Sequence, residues 1–578
     1  MMTQRLFLCM VRGATNAIIT TMQFIKALRP DRENLVADSM AGLTFALVNI
    51  PQAMANALLA SVNPILGLYT LAIGTPVGAI FTGSVFMNVS TTSALSLAAA
   101  DALVGVPESQ KAVNLMVLVL LVGVVQLVAG LFKLGSLTRF VSKSVMIGFT
   151  TGIALLIILG QVGDLTGYDS RFSNKIFQVL DTILNWKQID IATFAIGLTT
   201  IGLVVAFNRT KFGKFSLVIS LVISTILVQI FSLDSVALVG ELIDGAGAIG
   251  DVSLSEFQLT SGLMMSAVAV AIIGLVQGAG VSQSYANPDG KYPNVSRDFV
   301  GQGLANIATS MFQGIPAGGS MSGTALVVSA GGRTRWANIL AGLFVIPIVL
   351  IFASLIGLVP MPTLAGLLIV VGFQSLQPNE IRTVWQTGVI PQVGFGLTLA
   401  ATMILPLQTA VFIGVAVSIL LYVFRSSNLL RLVELEMVPN GYPIERSVPE
   451  TLEDDQTIVL HAYGSFFFAA ASTLEEQFPD VGDAQHTVVI LRLRGRDEVG
   501  STFIAVLERY GQILAAQNGR LMLCGVGQTV WGQLQRTGMV DLLREDGIFM
   551  AEAQLGVSLN EALETAVSWR NSQFDEEE

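Results

Sequence analysis

Charged side chains are scarce in this 578-residue chain: Asp, Glu, Lys and Arg make up 12% of it, where an ordinary soluble protein carries about one quarter. That scarcity excludes a water-facing surface over most of the molecule. Histidine occurs only at His461 and His486, with no cysteine or second histidine grouped around either, so no metal site is expected. The two cysteines, Cys9 and Cys524, fall in segments read as cytoplasmic, which excludes a disulfide framework; both are expected to be inert. No catalytic set of side chains appears, so neither an enzyme nor a cofactor is expected, and nothing marks a nucleic-acid partner. A cleavable signal is also missing, because the apolar stretch from Leu6 to Met10 is too short and no small-residue site follows it.

Apolar residues fill the space that charge leaves, at 52% of the chain. The runs from Val113 to Phe132, Phe215 to Phe231 and Asn338 to Leu358 hold no charge and approach the ~20 residues that cross a bilayer as a helix. Reading every such window predicts spans near 38–58, 64–82, 88–100, 113–132, 143–163, 191–208, 215–232, 262–283, 298–313, 321–331, 336–357, 361–374, 389–404 and 407–424. Residues 13 to 30 read as an amphipathic interfacial lead-in ending in Lys26 and Arg29.

The 41 acids and 31 bases divide into 22 and 9 from Asn440 onward and 19 and 22 before it, so the low pI belongs to the C-terminal part and says nothing about cargo. With the N-terminus inside, Lys133, Arg139 and Lys143 share one cytoplasmic loop, Arg209, Lys211 and Lys214 another, and Arg333 and Arg335 a third. The loop from Asp234 to Glu256 has five acids and no base and falls outside, as the positive-inside rule expects. The loop from Thr166 to Lys187 departs from the rule, since it carries Arg171, Lys175 and Lys187 on the outer side. The even span number leaves the C-terminus cytoplasmic.

Two short segments match in composition, Ser90 to Leu95 and Ser322 to Leu326, and each lies in a window too short to cross alone. Paired interrupted segments in the two halves of a transporter point to a midplane site, because broken helices aim two positive dipole ends at one place, and such ends suit an anion. Small polar residues also simply permit close helix packing; the matched pair favours a site. Phe86, Met87 and Met321 are candidate pathway-lining residues. Asn88, Asn208 and Asn294 open glycosylation sequons, but at span edges or on the cytoplasmic side, so modification there is not expected.

From Pro449 strand-like runs alternate with helix-like ones: Thr457 to Phe468, Thr487 to Arg494, a helical stretch from Ser501 to Gln517, then Arg520 to Val526. This predicts a soluble α/β domain built of βαβ units. The expected division is a cytoplasmic N-terminal segment over 1–37, a membrane domain over 38–425, a linker over 426–448, the α/β domain over 449–570 and a solvated acidic tail over 571–578.

These residues resemble the sulfate permease family of anion transporters and exchangers, whose members carry a cytoplasmic STAS domain (sulfate transporter and anti-sigma antagonist). The resemblance spans almost the whole chain. Pro51 to Ala55 followed by Gly67 to Thr70 is similar to the family's opening signature, Ser142 to Gly152 to its fifth-span motif, and Gly301 to Asn306 with Ala330 to Thr334 flank the tenth span. The resemblance implies fourteen segments in two inverted repeats of seven, forming a core and a gate domain, in a multi-pass inner or plasma membrane protein, with a dimer and a cytoplasmic protein partner as further implications. It places the anion between spans three and ten with help from spans one and eight, at Gln52, Ser90, Thr91, Thr92, Gln277, Ser320, Met321, Ser322, Gly323 and Thr324. Hydroxyls, amides and backbone N–H groups at those positions would form a neutral, donor-rich site.

Gln277 stands where many members carry an acid tied to proton or sodium coupling, and Gly323 where many carry arginine, an arrangement closer to bicarbonate-transporting cyanobacterial members. Exchange or uncoupled transport is therefore expected. In the STAS-like domain, Arg496 to Thr502 occupies the usual phosphorylation loop with Val499 at the modified position, and Ser501 or Thr502 is expected to cap the following helix. The expected function is transport of small inorganic anions, sulfate or bicarbonate first. Two other readings stay open on sequence: a membrane-anchored signalling protein acting through its STAS domain, and a carrier of another anion or a nucleobase.

Overall fold

The computed structural model describes residues 30, 32–136, 141–172, 174–240, 260–428, 430–438, 442–464, 466 and 471–577. Residues 13–29 of the expected lead-in helix, Cys9, Arg139 and residues 241–256 of the acidic loop lie outside them. The chain forms two compact units that divide between Ser418 and Ile419.

The first unit opens with α1 (Leu35–Leu59). Next come α2 (Pro64–Tyr69), a π-helical turn (Thr70–Gly74) and α3 (Thr75–Phe81), which run on as one span. Strand β1 (Asn88–Thr91) leads into the short helix α4 (Ser93–Ala102). Then follow α5 (Glu108–Leu131), α6 (Lys143–Gly160), α7 (Val162–Thr166), α8 (Lys175–Leu184), α9 (Ile191–Asn208) and α10 (Ser216–Ile230). The second half begins with α11 (Ser261–Ser284) and α12 (Val295–Ser310), and again a strand, β2 (Ala317–Ser320), leads into a short helix, α13 (Met321–Ser329). It continues with α14 (Trp336–Gly357), α15 (Met361–Ser375), α16 (Pro378–Thr387), α17 (Val389–Ile404) and α18 (Leu407–Asn428).

Among the described residues nine helices are long and apolar enough to cross a membrane, and α14 and α17 hold shorter apolar stretches. The three remaining predicted windows fall on α4, α12 and α13. Helix starts follow local chemistry: the side chains of Thr92, Ser142, Asn174, Asp190, Thr260, Asn294 and Ser320 each accept a hydrogen bond from a backbone N–H of the first turn.

Small residues set how closely the spans approach. Where α5 meets α12, a Cβ on Gly303 would lie 2.5 Å from the Leu127 nitrogen, and one on Gly123 2.7 Å from the Gly303 carbonyl oxygen. Backbones can touch there only because neither residue has a side chain. Buried charge ties one end of the bundle together. Asp38, 1% exposed, accepts from the backbone nitrogens of Arg333 at 2.7 Å and Thr334 at 3.0 Å. The Arg335 guanidinium donates to the carbonyls of Ala79 and Ile80, both at 3.0 Å, and of Thr82, capping the C-terminal end of α3.

The second unit is a six-stranded sheet in the order β4-β3-β5-β6-β7-β8, made of β3 (Arg431–Glu436), β4 (Ile444–Arg446), β5 (Thr457–Tyr463), β6 (Val488–Arg492), β7 (Arg520–Val526) and β8 (Ile548–Met550). β5 to β8 run parallel, while β3 pairs antiparallel with both β4 and β5. Leu460, Leu491 and Leu523 pack on one face with Leu474 of α19 (Ala471–Gln477), Phe503 and Leu507 of α20 (Ser501–Ala516), Val530 of α21 (Gln528–Arg536) and Leu543 of α22 (Met539–Leu543). Val459, Ile490 and Met522 pack on the other with Leu559 and Ala562 of α23 (Val557–Glu577). Both faces are covered, as a parallel sheet requires.

Three expectations are corrected here. Residues 426–448, expected as a linker, contribute β3 and β4, because the alternating apolar residues Leu432 and Leu435 lie on opposite faces of the sheet and join its two cores. The acidic end expected as a solvated tail continues α23 to Glu577. The cap of α20 is Gly500, with no side-chain cap bond, so neither Ser501 nor Thr502 plays that part; the chain enters the helix as Val499, 2% exposed, plugs into the core.

Replacing Gly303 with Leu is expected to abolish monodisperse protein in fluorescence-detected size exclusion, since overpacking costs about 1–3 kcal/mol even where the neighbour is a side chain and here it is backbone. Gly202→Leu, which meets nothing within 4 Å, should leave the profile unchanged.

Candidate functional site

In the interior of a membrane protein no water stands ready to satisfy free backbone groups, so chain that is not helical must find protein partners. β1 and β2 solve this by pairing with each other, antiparallel, with Asn88 opposite Ser320, Val89 opposite Gly319, Ser90 opposite Gly318 and Thr91 opposite Ala317. Because each strand runs straight into its half-helix, antiparallel pairing points α4 and α13 in opposite directions with their N-terminal ends at the pair. The matched segments seen in the sequence are therefore brought together.

The strand pair is held by amides from the surrounding helices. Asn306 donates to the Ala317 carbonyl and accepts from its N–H, both at 2.7 Å, and also donates to the Gln126 side chain at 2.8 Å. Gln302 accepts from the Gly319 nitrogen at 3.1 Å. On the other strand, Asn338 donates to the Phe86 carbonyl at 3.1 Å and accepts from the Asn88 amide at 2.8 Å. Thr324 accepts from the Asn88 nitrogen at 3.0 Å and donates to the Ser320 carbonyl at 2.7 Å. Asn88, Gln126, Gln302, Asn306, Thr324 and Asn338 are all fully buried.

The ten predicted residues separate into two groups. Ser90 and Thr91 belong to the scaffold: Ser90 is buried in the strand pair, and the Thr91 hydroxyl accepts from Asn56 at 3.1 Å. Thr324 is scaffold too, and Gly323 is buried where a Cβ would meet Asn88 Oδ1 at 2.7 Å. That crowding explains the glycine. The second group, Ser320 apart, stays accessible. Thr92 and Gln277 are half-buried, Ser322 is exposed and Met321 is 45% exposed. Ser320 is buried, with its hydroxyl accepting from the Gly323 nitrogen at 3.0 Å and lying 3.3 Å from the Ser322 hydroxyl. Gln52 is half-buried on α1, which packs on both half-helices, as does α11 with Gln277.

The donors gather at the two helix starts. Thr92 caps α4 by accepting from the Leu95 nitrogen at 3.4 Å while its hydroxyl donates to Gln277 Oε1 at 3.1 Å. With its oxygen so engaged, Gln277 presents Nε2 as a donor. The first N–H groups of any helix have no carbonyl a turn back, so the first turns of α4 and α13 add backbone donors, and the Ser322 hydroxyl adds another. No ionised side chain belongs to this set. Gln277 also borders an apolar cavity of about 50 Å³ lined by Val145, Met146 and Phe149 of α6, Ile273 of α11 and Val411 of α18. Gln277 thus joins the start of α4, through Thr92, to the edge of this apolar cavity.

Sequence reasoning missed Asn56, Gln126, Gln302, Asn306 and Asn338. Their signal is carboxamide chemistry inside apolar windows: buried amides are costly without partners, so each such Asn or Gln marks a backbone group, a hydroxyl or another amide to be satisfied. The Ser93 hydroxyl, which donates to Asn56 at 2.8 Å, was read only as part of its segment.

Residues 35–398 match the sulfate permease family and residues 448–555 match the STAS domain. The chain is 28% identical over 543 residues to the probable sulfate transporter Rv1739c of Mycobacterium tuberculosis, covering 90% of this chain and 94% of that one. It is 24% identical over 540 residues to the chloroplastic sulfate transporter 4.1 of Arabidopsis thaliana, covering 89% and 78%. Among solved structures, the murine Solute Carrier 26 family member A9 anion transporter in the inward-facing state superposes with a TM-score of 0.81 at 18% identity, covering 96% of this chain and 95% of that one. The transmembrane domain of the cyanobacterium bicarbonate transporter BicA superposes with a TM-score of 0.57 at 20% identity, covering 68% and 99%.

Scaffold and site differ in what their loss should do. Asn306→Ala strands the buried Ala317 N–H and C=O, each at a cost of about 1–3 kcal/mol, and should lower the melting temperature of the detergent-solubilised protein by several degrees. Gln277→Ala removes a half-buried donor and should leave that temperature close to the parent value.

Proposed function

The chain belongs to the sulfate permease family, a family of membrane transporters, and we propose that it carries small inorganic anions, sulfate or bicarbonate, across its membrane by alternating access at the meeting point of α4 and α13. The observation that carries this reading is the antiparallel strand pair that starts a half-helix from each of its ends, with the neutral donors Thr92 and Gln277 at one start and Ser320 and Ser322 at the other. An anion arriving there exchanges water for fixed N–H and O–H groups and gains from the positive N-terminal end of a half-helix. Gln52, Thr92, Gln277, Ser320 and Ser322 are the residues that would touch it; Ser90, Thr91, Gly323 and Thr324 would hold the chain that presents them. Met321 would line the approach. The α4–α13 core would move against the helices lining the apolar cavity beside Gln277, which would part to open the site.

Gln277 supports exchange or uncoupled transport. A carboxylate there would titrate and link anion binding to protons or sodium, whereas a carboxamide keeps one charge state at every physiological pH. Both termini would lie in the cytoplasm, by the distribution of Lys and Arg among the loops. The STAS domain would serve regulation or a dimer contact without phosphate chemistry at position 499, since the side chain there is a buried valine.

Reconstitution into liposomes tests the reading. Uptake of labelled sulfate or bicarbonate should saturate, should be abolished by Ser322→Trp, which fills the space at the start of α13, and should persist without a proton or sodium gradient. Uptake of uracil in place of either anion, or none of any, would reject the anion assignment.

Gln277→Glu gives a second test. Two like charges ~4 Å apart repel by about 4 kcal/mol at an effective dielectric of about 20, well above the ~1.4 kcal/mol that makes a factor of ten. Anion uptake should fall at least about tenfold at pH 7.5. Protonation neutralises the carboxyl as pH falls, so uptake by the variant should recover at acid pH while that of the parent does not.

A further inference from the structure

Helix α8 stands in the wrong orientation for a loop helix packed on a protein. Its apolar residues Ile176, Phe177, Leu180, Ile183 and Leu184 recur at the spacing of one helical face, and they are 37%, 55%, 50%, 62% and 81% exposed. The opposite face is polar and turned inward. Asp181 accepts from the Tyr168 hydroxyl at 3.2 Å, the Ser170 hydroxyl at 2.7 Å and the Asn185 amide at 2.9 Å, Gln178 donates to the Phe172 carbonyl at 2.7 Å, and Thr182 is buried. The stripe is thus held outward by a hydrogen-bonded polar face; Phe177 meets the ring of Phe172, its centroid 6.1 Å away, and Phe172 is itself 50% exposed.

The equivalent place in the second repeat provides the contrast. α16 follows the twelfth span as α8 follows the fifth, but it turns Val384 and Ile381 inward onto Ile147 and Phe395 and leaves Arg382, Thr383 and Gln386 exposed, with Trp385 its one large exposed apolar side chain. One helix of the pair covers the protein and the other offers hydrocarbon to its surroundings.

We propose that α8 is an interfacial helix whose apolar stripe lies in the lipid of the membrane at the boundary between headgroups and acyl chains. Two features select lipid as the occupant. The stripe is continuous with an established lipid-facing surface, since the chain passes through Trp186, 65% exposed, directly into the span α9, whose first residue Ile191 is 81% exposed. Charge also fits: Arg171 and Lys187 are exposed on either side of the helix, placed where lipid phosphates would meet them, and Trp186 has the amphipathic ring that favours this depth. These are two of the three bases that break the positive-inside pattern; headgroup contact accounts for their position. An α8 set in the interface holds the α6–α9 connection at a fixed depth.

Spin labels test this in the full-length protein. Cys9 is replaced by Ser, and Cys524 stays, being buried in β7 with its thiol pushed up to about 12 by burial. Single labels are placed by Phe177→Cys, Leu180→Cys, Leu184→Cys and, as a control on the exposed turn, Gln188→Cys, and each protein is reconstituted in vesicles of phosphatidylethanolamine and phosphatidylglycerol. The expected result is collision with dissolved oxygen several-fold above that at Gln188→Cys for the three stripe positions, with the water-soluble nickel chelate excluded from them. Stripe labels reached by the chelate as freely as the control would put the face in water. Labels that are immobilised and broadened by spin–spin coupling between copies would put a second copy of the chain there. Either result overturns the proposal.

Discussion

The strand pair in the middle of the membrane unit is the interaction on which the rest depends. Two interrupted spans leave about a dozen backbone donors and acceptors without helical partners, and in hydrocarbon each unsatisfied group costs several kcal/mol. Pairing β1 with β2 satisfies part of that demand, and Thr70, Gln302, Asn306, Thr324 and Asn338 satisfy the flanking groups. Those side chains arrive from four different helices, so the broken segments can exist only inside an assembled bundle. Close packing through Gly123 and Gly303 is what brings α12, which carries Gln302 and Asn306, within reach.

A site assembled this way has particular energetics. A helix end contributes about 0.3–1 kcal/mol towards a nearby anion at an exposed position and up to ~2 when partly buried. Two such ends with a few hydroxyl and amide donors attract an anion without binding it as tightly as a buried arginine would. Burying a full protein charge would also carry a desolvation penalty in the empty state, which a neutral site avoids. Modest affinity in both occupied and empty forms suits a carrier that must release its cargo on each cycle.

Much of this was legible beforehand. The fourteen apolar windows, the matched Ser90 and Ser322 segments and the α/β alternation after Pro449 all rest on composition and period, which any chain displays without folding. The places where reading failed are those where a residue answers to a neighbour distant in sequence. Val499 looked like a lost phosphorylation position and is a core plug, which left Gly500 rather than Ser501 as the cap. Leu432 and Leu435 looked like linker until a sheet stood on both sides of them. Gly323 was read as a site residue from its position alone, and the reason it is glycine lies in Asn88, whose side chain leaves no room for a Cβ.

By itself the sequence determined that the chain is a membrane protein with two interrupted spans and a C-terminal α/β domain, because hydrophobic length and residue periodicity are local properties read one segment at a time. Only the tertiary structure decided which polar residues serve the backbone and which serve the site. Ser90 and Ser322 are the same residue type in matched segments, yet one is sealed into a strand pair and the other is exposed. The antiparallel register that separates them is a contact between residues more than two hundred positions apart, and no local pattern encodes it.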